Sequence, residues 1–456
     1  MKRPYLSSPP ENRVKRASEH LRDMIGRNRK GEAIGTYAVC SAQPSVLDAA
    51  IQMALELGSD LHVESTASQV NQLGGYTGMT PAQFAASLRD AATQAGLPSE
   101  RLLLGADHLG PYPWRGEASA VAIDKARALA QSCVHAGYQK VHLDASMSCA
   151  DDPNALSEAV IAERAAILCR AAEDASAELP HGSPRPFYVI GTEVPAPGGE
   201  VADGERPLPT RMEDVHRTLE AFCRAFVRQN LEDAWERVIG LVVQPGVEFG
   251  DSQVFDYDRT RAASLSSGLP GAPALVYEAH STDYQLPERL AEMVEDHFAI
   301  LKVGPALTFA YREAIFALNA IERESLACKR GVKLSYLRES LDLEMLRNPA
   351  YWRSYYQGRG GQIRLARAFS FSDRCRYYWP QKTVQEAVAR LIRNLQSFPP
   401  PLSLFSQYLP EEYAAIRRGE LDCDISSVVQ HHIRRVLSGY STACGASLES
   451  RSARAV

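Results

Sequence analysis

The chain lacks any apolar run near the roughly 18 residues needed to cross a bilayer, so no stretch of it reads as a membrane span. It also lacks an excess of positive charge. Its 50 Lys and Arg against 55 Asp and Glu give a net charge of -5, which leaves no electrostatic footprint for nucleic acid. The nine cysteines are scattered and never spaced C-x-x-C. An odd, dispersed set of this kind excludes a disulfide framework or a zinc ribbon and fits reduced thiols in a cytoplasmic protein. A dinucleotide fingerprint is missing too: Gly74–Met79, "GGYTGM", has the wrong spacing and no strand directly before it. No G-K-[ST] loop is present, so a P-loop kinase is not indicated. The opening stretch "MKRPYLSSPPENRVKR" is basic and polar without an apolar segment. It is not a secretory signal, and residues 1–19 are expected to form a disordered leader.

What the chain does contain is a repeat. Short β-rich apolar runs end in polar or chemically active residues and are followed by amphipathic helical stretches. The runs are "IGTYAVCS" (Ile34–Ser41), "LHVEST" (Leu61–Thr66), "LLLGADH" (Leu102–His108) and "KVHLDAS" (Lys140–Ser146). Four more follow: "FYVIGTEV" (Phe187–Val194), "IGLVVQPG" (Ile239–Gly246), "LVYEAHST" (Leu275–Thr282) and "AILKVGPA" (Ala299–Ala306). In stretches such as "SVLDAAIQMALELG", between the first two runs, apolar residues recur at three and four positions and Gly closes the end. Eight strands alternating with helices predict a (β/α)8 barrel over residues 20–320. After about 320 the β/α repeat stops. A helical C-terminal region is expected over 321–445, with a frayed tail over 446–456.

Barrel active sites form at the C-terminal ends of the strands. The expected mouth holds Glu64, Asp107, His108, His142, Asp144, Glu193, Gln244, Glu278, His280 and Lys302. In "HLD" and "EAH" the polar residues are two apart, so on a strand they face the same side. One strand-end His or carboxylate is most simply a hydrogen-bonded structural residue. Ionisable residues at nearly every mouth are different, because burying so many without purpose is costly. A ring of His and carboxylates suits a divalent metal, zinc first among the candidates, surrounded by acid–base groups. Lys302 has two other readings, a Schiff-base lysine or a substrate contact. His62, His135 and His297 lack this context and are read as structural or exposed. In "SDRCRYYW" (Ser372–Trp379), Arg374 and Arg376 could hold a phosphate, or form a salt-bridge patch.

Several long motifs, in order, resemble one family. They are "VNQLGGYTGMTPAQF", "GADHLGPYPW", "HLDAS", "GTEVPAPGG", "VVQPGVEFG", "YEAHSTDY", "LKVGPALTFAYREA", "SDRCRYYW" and "SQYLP". The family is that of the non-catalytic subunit of class II D-tagatose-1,6-bisphosphate aldolase, also labelled tagatose-6-phosphate kinase; some members act as D-tagatose-6-phosphate 4-epimerases. The family is distantly similar to metal-dependent class II aldolases, in which a strand-three Asp is catalytic and the next His ligates metal. Asp107 and His108 match that pair, and His280 matches the strand-seven His. The strand-six His does not carry over, since Gln244 stands there.

The resemblance implies a phosphorylated ketohexose as substrate. It also implies self-association or an aldolase chain as partner. His108, His280 and Glu278 are then expected as metal ligands, and Asp107, Glu64, Asp144 and Glu193 as acid–base groups. His142, Gln244, Ser281, Lys302, Arg374 and Arg376 are expected to contact the sugar or its phosphate. The chemistry narrows the route. In a 2-ketose the C4 hydrogen is not adjacent to the carbonyl, so simple proton abstraction there gives no stabilised anion. Without a nicotinamide, 4-epimerisation requires cleavage and re-formation of the C3–C4 bond, with a metal as Lewis acid. The alternative is a stabilising subunit without activity of its own.

Overall fold

The computed structural model describes residues 15–192 and 206–446. Eight parallel strands form a closed barrel. In chain order they are β1 (Thr36–Val39), β2 (Leu61–Thr66), β3 (Leu102–Leu109), β4 (Lys140–Leu143), β5 (Phe187–Ile190), β6 (Val238–Val242), β7 (Val276–Ala279) and β8 (Ile300–Val303). Each neighbours the next, and β1 closes on β8 through pairs such as Thr36 with Ile300. All eight expected runs contribute a strand, each shorter than its run except the second and third. The polar residues ending several runs lie just beyond the ladder. A two-stranded hairpin, Glu248–Phe249 with Val254–Phe255, is an addition the sequence reading did not include.

Strand alternation sorts the side chains into two sets. Val63, Leu104, Val141, Tyr188, Leu241, Tyr277 and Leu301 face the surrounding helices and join the large outer core. The opposite phase fills the lumen. Near the strand starts this phase is apolar: Leu103, Phe187, Ile239, Val276 and Ile300 cluster with Ala17, Leu21 and Ile25. Those three belong to the helix Ala17–Asn28, which plugs this end of the barrel. The expected leader therefore ends earlier than residue 19: residues 17–19 are the first turn of the plug, held because they bury apolar surface. Residues 1–14 lie outside the described residues.

The other boundaries also shift. The helix after β8, Pro305–Leu326, runs through residue 320 without a break. Beyond it the chain is helical, as expected, ending with Ile425–Ala443. That last helix packs against Pro44–Leu57, Pro287–Glu295 and Pro305–Leu326, so the C-terminal region completes the outer layer of the barrel. Among the described residues, no helix is long and apolar enough to cross a membrane. All nine cysteines are free thiols.

Candidate active site

The upper lumen is charged. Glu64 and Lys140 flank Gly105 in one row of the sheet. A Cβ at Gly105 would stand 2.7 Å from the Glu64 Cγ, so glycine is what lets a carboxylate enter the lumen here. Lys140 Nζ lies 2.6 Å from Glu64 Oε1 and 2.6 Å from Glu278 Oε2, all three fully buried. Lys302 Nζ meets the other Glu64 oxygen and lies 2.9 Å from Asp107 Oδ1. His62, below this layer, lies 2.6 Å from Glu64. Burial opposes the charge on Glu64, but Lys140 and Lys302 outweigh it and hold the carboxyl well below its ordinary range.

Asp107 and His108 are consecutive, so a regular strand would send them to opposite faces. The pairing of β3 with β4 shifts register between Ala106 and Leu109. His108 takes a left-handed φ of 46°, a conformation sparsely populated by residues other than Gly. Both side chains consequently reach the mouth. The rings of His108, His142 and His280 form a triangle with centroid separations of 5.3, 4.9 and 5.0 Å.

Each ring is oriented by a carboxylate. His108 Nδ1 lies 2.8 Å from Asp144 Oδ2, while Ser146 donates to the other Asp144 oxygen through its backbone N–H and hydroxyl. His142 Nδ1 lies 3.2 Å from Asp107 Oδ1 and His280 Nε2 lies 3.0 Å from Glu278 Oε1. This pattern of His backed by a carboxylate is how metal-binding imidazoles are held. Burial lowers His280 to about 4, against the pull of Glu278, which keeps it neutral and able to donate a lone pair. Burial also works against the Asp107 charge, but His108, Lys302 and the bond from His142 hold it well below the usual range.

The donor set fits a divalent ion. Asp107, His142, Glu278 and His280 each offer an atom within 4.8 Å of the others. His142 Nε2 is buried with no hydrogen-bond partner, an arrangement that is unfavourable unless something else engages that atom. His108 adds a third imidazole at the rim. His142, expected from the resemblance as a sugar contact, thus lies within the set that could hold a metal ion.

A narrow cleft, partly open to solvent, lies over this ring. Asp107, His108, His280, Ser281 and Lys302 line it, as does Arg376 from the C-terminal region. Other predicted residues lie elsewhere. The Gln244 side chain accepts from the N–H groups of Gly246 and Val247 and does not line the cleft. Arg374 is buried, with its guanidinium over the Tyr355 ring and a bond to the Tyr351 carbonyl, also away from the cleft. Glu193 lies outside the described residues. The sequence reading did not single out Lys140, Asp283, Tyr76 or Tyr377. Lys140 had a signal: it is in phase with His142. Tyr76 and Tyr377 pack edge to face across the cleft wall from segments 300 residues apart in the chain, about which spacing says nothing.

Over residues 21–445 the chain matches the model of the family D-tagatose-1,6-bisphosphate aldolase subunit GatZ/KbaZ-like. A crystal structure of a probable tagatose 6 phosphate kinase from Sinorhizobium meliloti 1021 is similar at 42% identity and a TM-score of 0.81. That match covers 90% of this chain and 100% of the other. A fructose-bisphosphate aldolase from Campylobacter jejuni aligns at 13% identity and a TM-score of 0.42, over 84% of this chain and 93% of its own. That likeness is too slight to bear on the site. The family match and the 42% relative both span the barrel and the helical region that supplies Arg376, and the chain belongs to the D-tagatose-1,6-bisphosphate aldolase subunit GatZ/KbaZ-like family.

Proposed function

We propose that the chain is a D-tagatose 6-phosphate 4-epimerase working by retro-aldol cleavage and re-addition. One observation carries the reading: a buried set of three imidazoles and two carboxylates, with Lys302 beside them, opens onto a cleft that is partly open to solvent. A stabilising subunit has no use for such a costly array.

Asp107, kept ionised and exposed to the cleft, takes the proton of the C4 hydroxyl. The C3–C4 bond breaks, leaving a three-carbon aldehyde and an enediolate. The aldehyde turns, the bond re-forms on its other face, and Asp107 returns the proton to the new C4 alkoxide. No proton or electron is gained or lost over the cycle. Lys302, held by Glu64 and Asp107, places a fixed positive charge beside the developing oxyanions. Glu278 and Asp144 orient His280 and His108. A divalent ion held by His142, His280 and His108 with Glu278 would supply Lewis acidity; zinc suits the donors. Arg376 faces the cleft as the contact for the phosphate.

The family's description as an aldolase subunit favours a second reading, in which the chain stabilises an aldolase without activity of its own. The test is to incubate the purified chain alone with D-tagatose 6-phosphate and assay D-fructose 6-phosphate, before and after chelator. Conversion that chelation removes is the expected result. No conversion, together with activation of an added aldolase chain, would overturn the enzymatic reading.

A further inference from the structure

Asp283 follows β7 in the cleft wall and is 4% exposed. One carboxylate oxygen accepts from the backbone N–H of Gly304 at 2.9 Å and of Ala306 at 2.8 Å. These amides open the 22-residue helix Pro305–Leu326 after β8. In (β/α)8 enzymes the corner after strands seven and eight is where backbone amides hold a phosphate. Here the protein's own carboxylate fills it. Burial pushes Asp283 up to about 6, with the two amides and Arg376 acting against that rise, so the group is charged at neutral pH.

The segment around Asp283 is tied down. The Thr282 hydroxyl donates to the Lys302 carbonyl at 2.6 Å, and the Tyr440 hydroxyl donates to the Thr282 carbonyl at 2.7 Å. Ser281 and Tyr284 hold positive φ values of 54° and 66°. Among the described residues of the cleft, the only Lys and Arg side chains are Lys302 and Arg376. Lys302 is already engaged by Glu64 and Asp107. Arg376 donates to the carbonyls of Ser372 and Asp373 and to the Tyr377 hydroxyl, all neutral groups, so its charge is the one left for an anionic group. A second phosphate on the ligand would meet the Asp283 carboxylate where it needs amides.

We propose that Asp283 is a specificity-determining residue that limits the cleft to ketose monophosphates and rejects bisphosphates. The inference rests on the reading of the cleft as a sugar-phosphate site. A phosphate brought beside this carboxylate must either be repelled or force it to take up a proton, and with Asp283 at about 6 that corresponds to about tenfold in affinity at neutral pH. The Asn variant removes the charge with little change of shape. The Ala variant also frees the two amides.

Calorimetric titration of the full-length chain with D-fructose 6-phosphate and with D-fructose 1,6-bisphosphate tests this. The wild type is expected to bind the bisphosphate about tenfold more weakly. Asp283→Asn should shrink that ratio about tenfold, and Asp283→Ala at least as much, with melting temperature and circular dichroism confirming the fold. Equal affinities in the wild type, or a ratio unchanged in both folded variants, would overturn the proposal. Failure to bind either sugar overturns it together with the substrate class. The expected ratios without epimerisation leave it standing and remove only the epimerase reading, whereas epimerisation with unchanged ratios removes the inference alone.

Discussion

The two halves of the barrel lumen are built on the same strands in the same phase, yet they obey opposite rules. The lower half is apolar and sealed by the helix Ala17–Asn28, whose Leu21 and Ile25 enter between Leu103, Phe187 and Ile300. The upper half puts Glu64, Lys140, Glu278 and Lys302 where barrels ordinarily stack branched aliphatics. The lower half gains stability from every buried group. The upper half spends it on charges that must be paired to be tolerated. Such a contrast within one lumen places stability at one end and the proposed chemistry at the other.

The sharpest way to break the comparison is Asp107→Asn. The change is nearly isosteric and removes the proposed base while leaving the imidazoles. Turnover of D-tagatose 6-phosphate should fall by about two to four orders of magnitude. Metal content, by elemental analysis, should hold. Undiminished turnover would take Asp107 out of the mechanism and leave the upper half without a proton acceptor.

A paired truncation comes next. Glu64→Ala strips both Lys140 and Lys302 of a partner in a fully buried layer, and should destabilise by about 3–5 kcal/mol while also losing activity. Leu21→Ala empties part of the lower plug and should cost about 2–4 kcal/mol with activity per folded molecule kept. Denaturant unfolding followed by assay separates them. Loss of activity in the Leu21 variant below its melting range would show that the two halves are not independent.

The smallest expected effect concerns pH. In the metal-free protein burial depresses His280 to about 4, below the ordinary 6.5. As pH falls, the unfolded chain takes up this proton first. The stability present above pH 6.5 is therefore lost between about 6.5 and 4, by up to about 3 kcal/mol. His280→Asn should flatten that part of the stability profile. Leu21→Ala should shift the curve by the same amount at every pH. A wild-type profile without a slope in this window would show that His280 is not buried neutral.

Much of this was legible from local pattern, because strand alternation and helical periodicity are properties of neighbouring residues. The eight runs, the pairing of Glu278 with His280, and the presence of Asp107 and His108 at one strand end all follow from that. Other features depend on partners far apart in the chain. The resemblance implied a sugar contact for His142, and local spacing cannot tell which residues meet across a barrel; closure of the sheet brings it beside His280. Arg374 and Arg376 look equivalent in sequence, but a short turn aims one at Tyr355 and the other at the cleft.

By itself the sequence determined the barrel, its order, and the stock of acids and imidazoles at its mouth, since composition and period are written residue by residue. Only the tertiary structure decided how they are used. The register shift and positive φ at His108 turn two successive residues the same way. Gly105 leaves the space that admits Glu64, and Asp283 reaches the amides that begin the next helix. These are matters of distance and direction between segments, which closure of the sheet sets and sequence spacing does not contain.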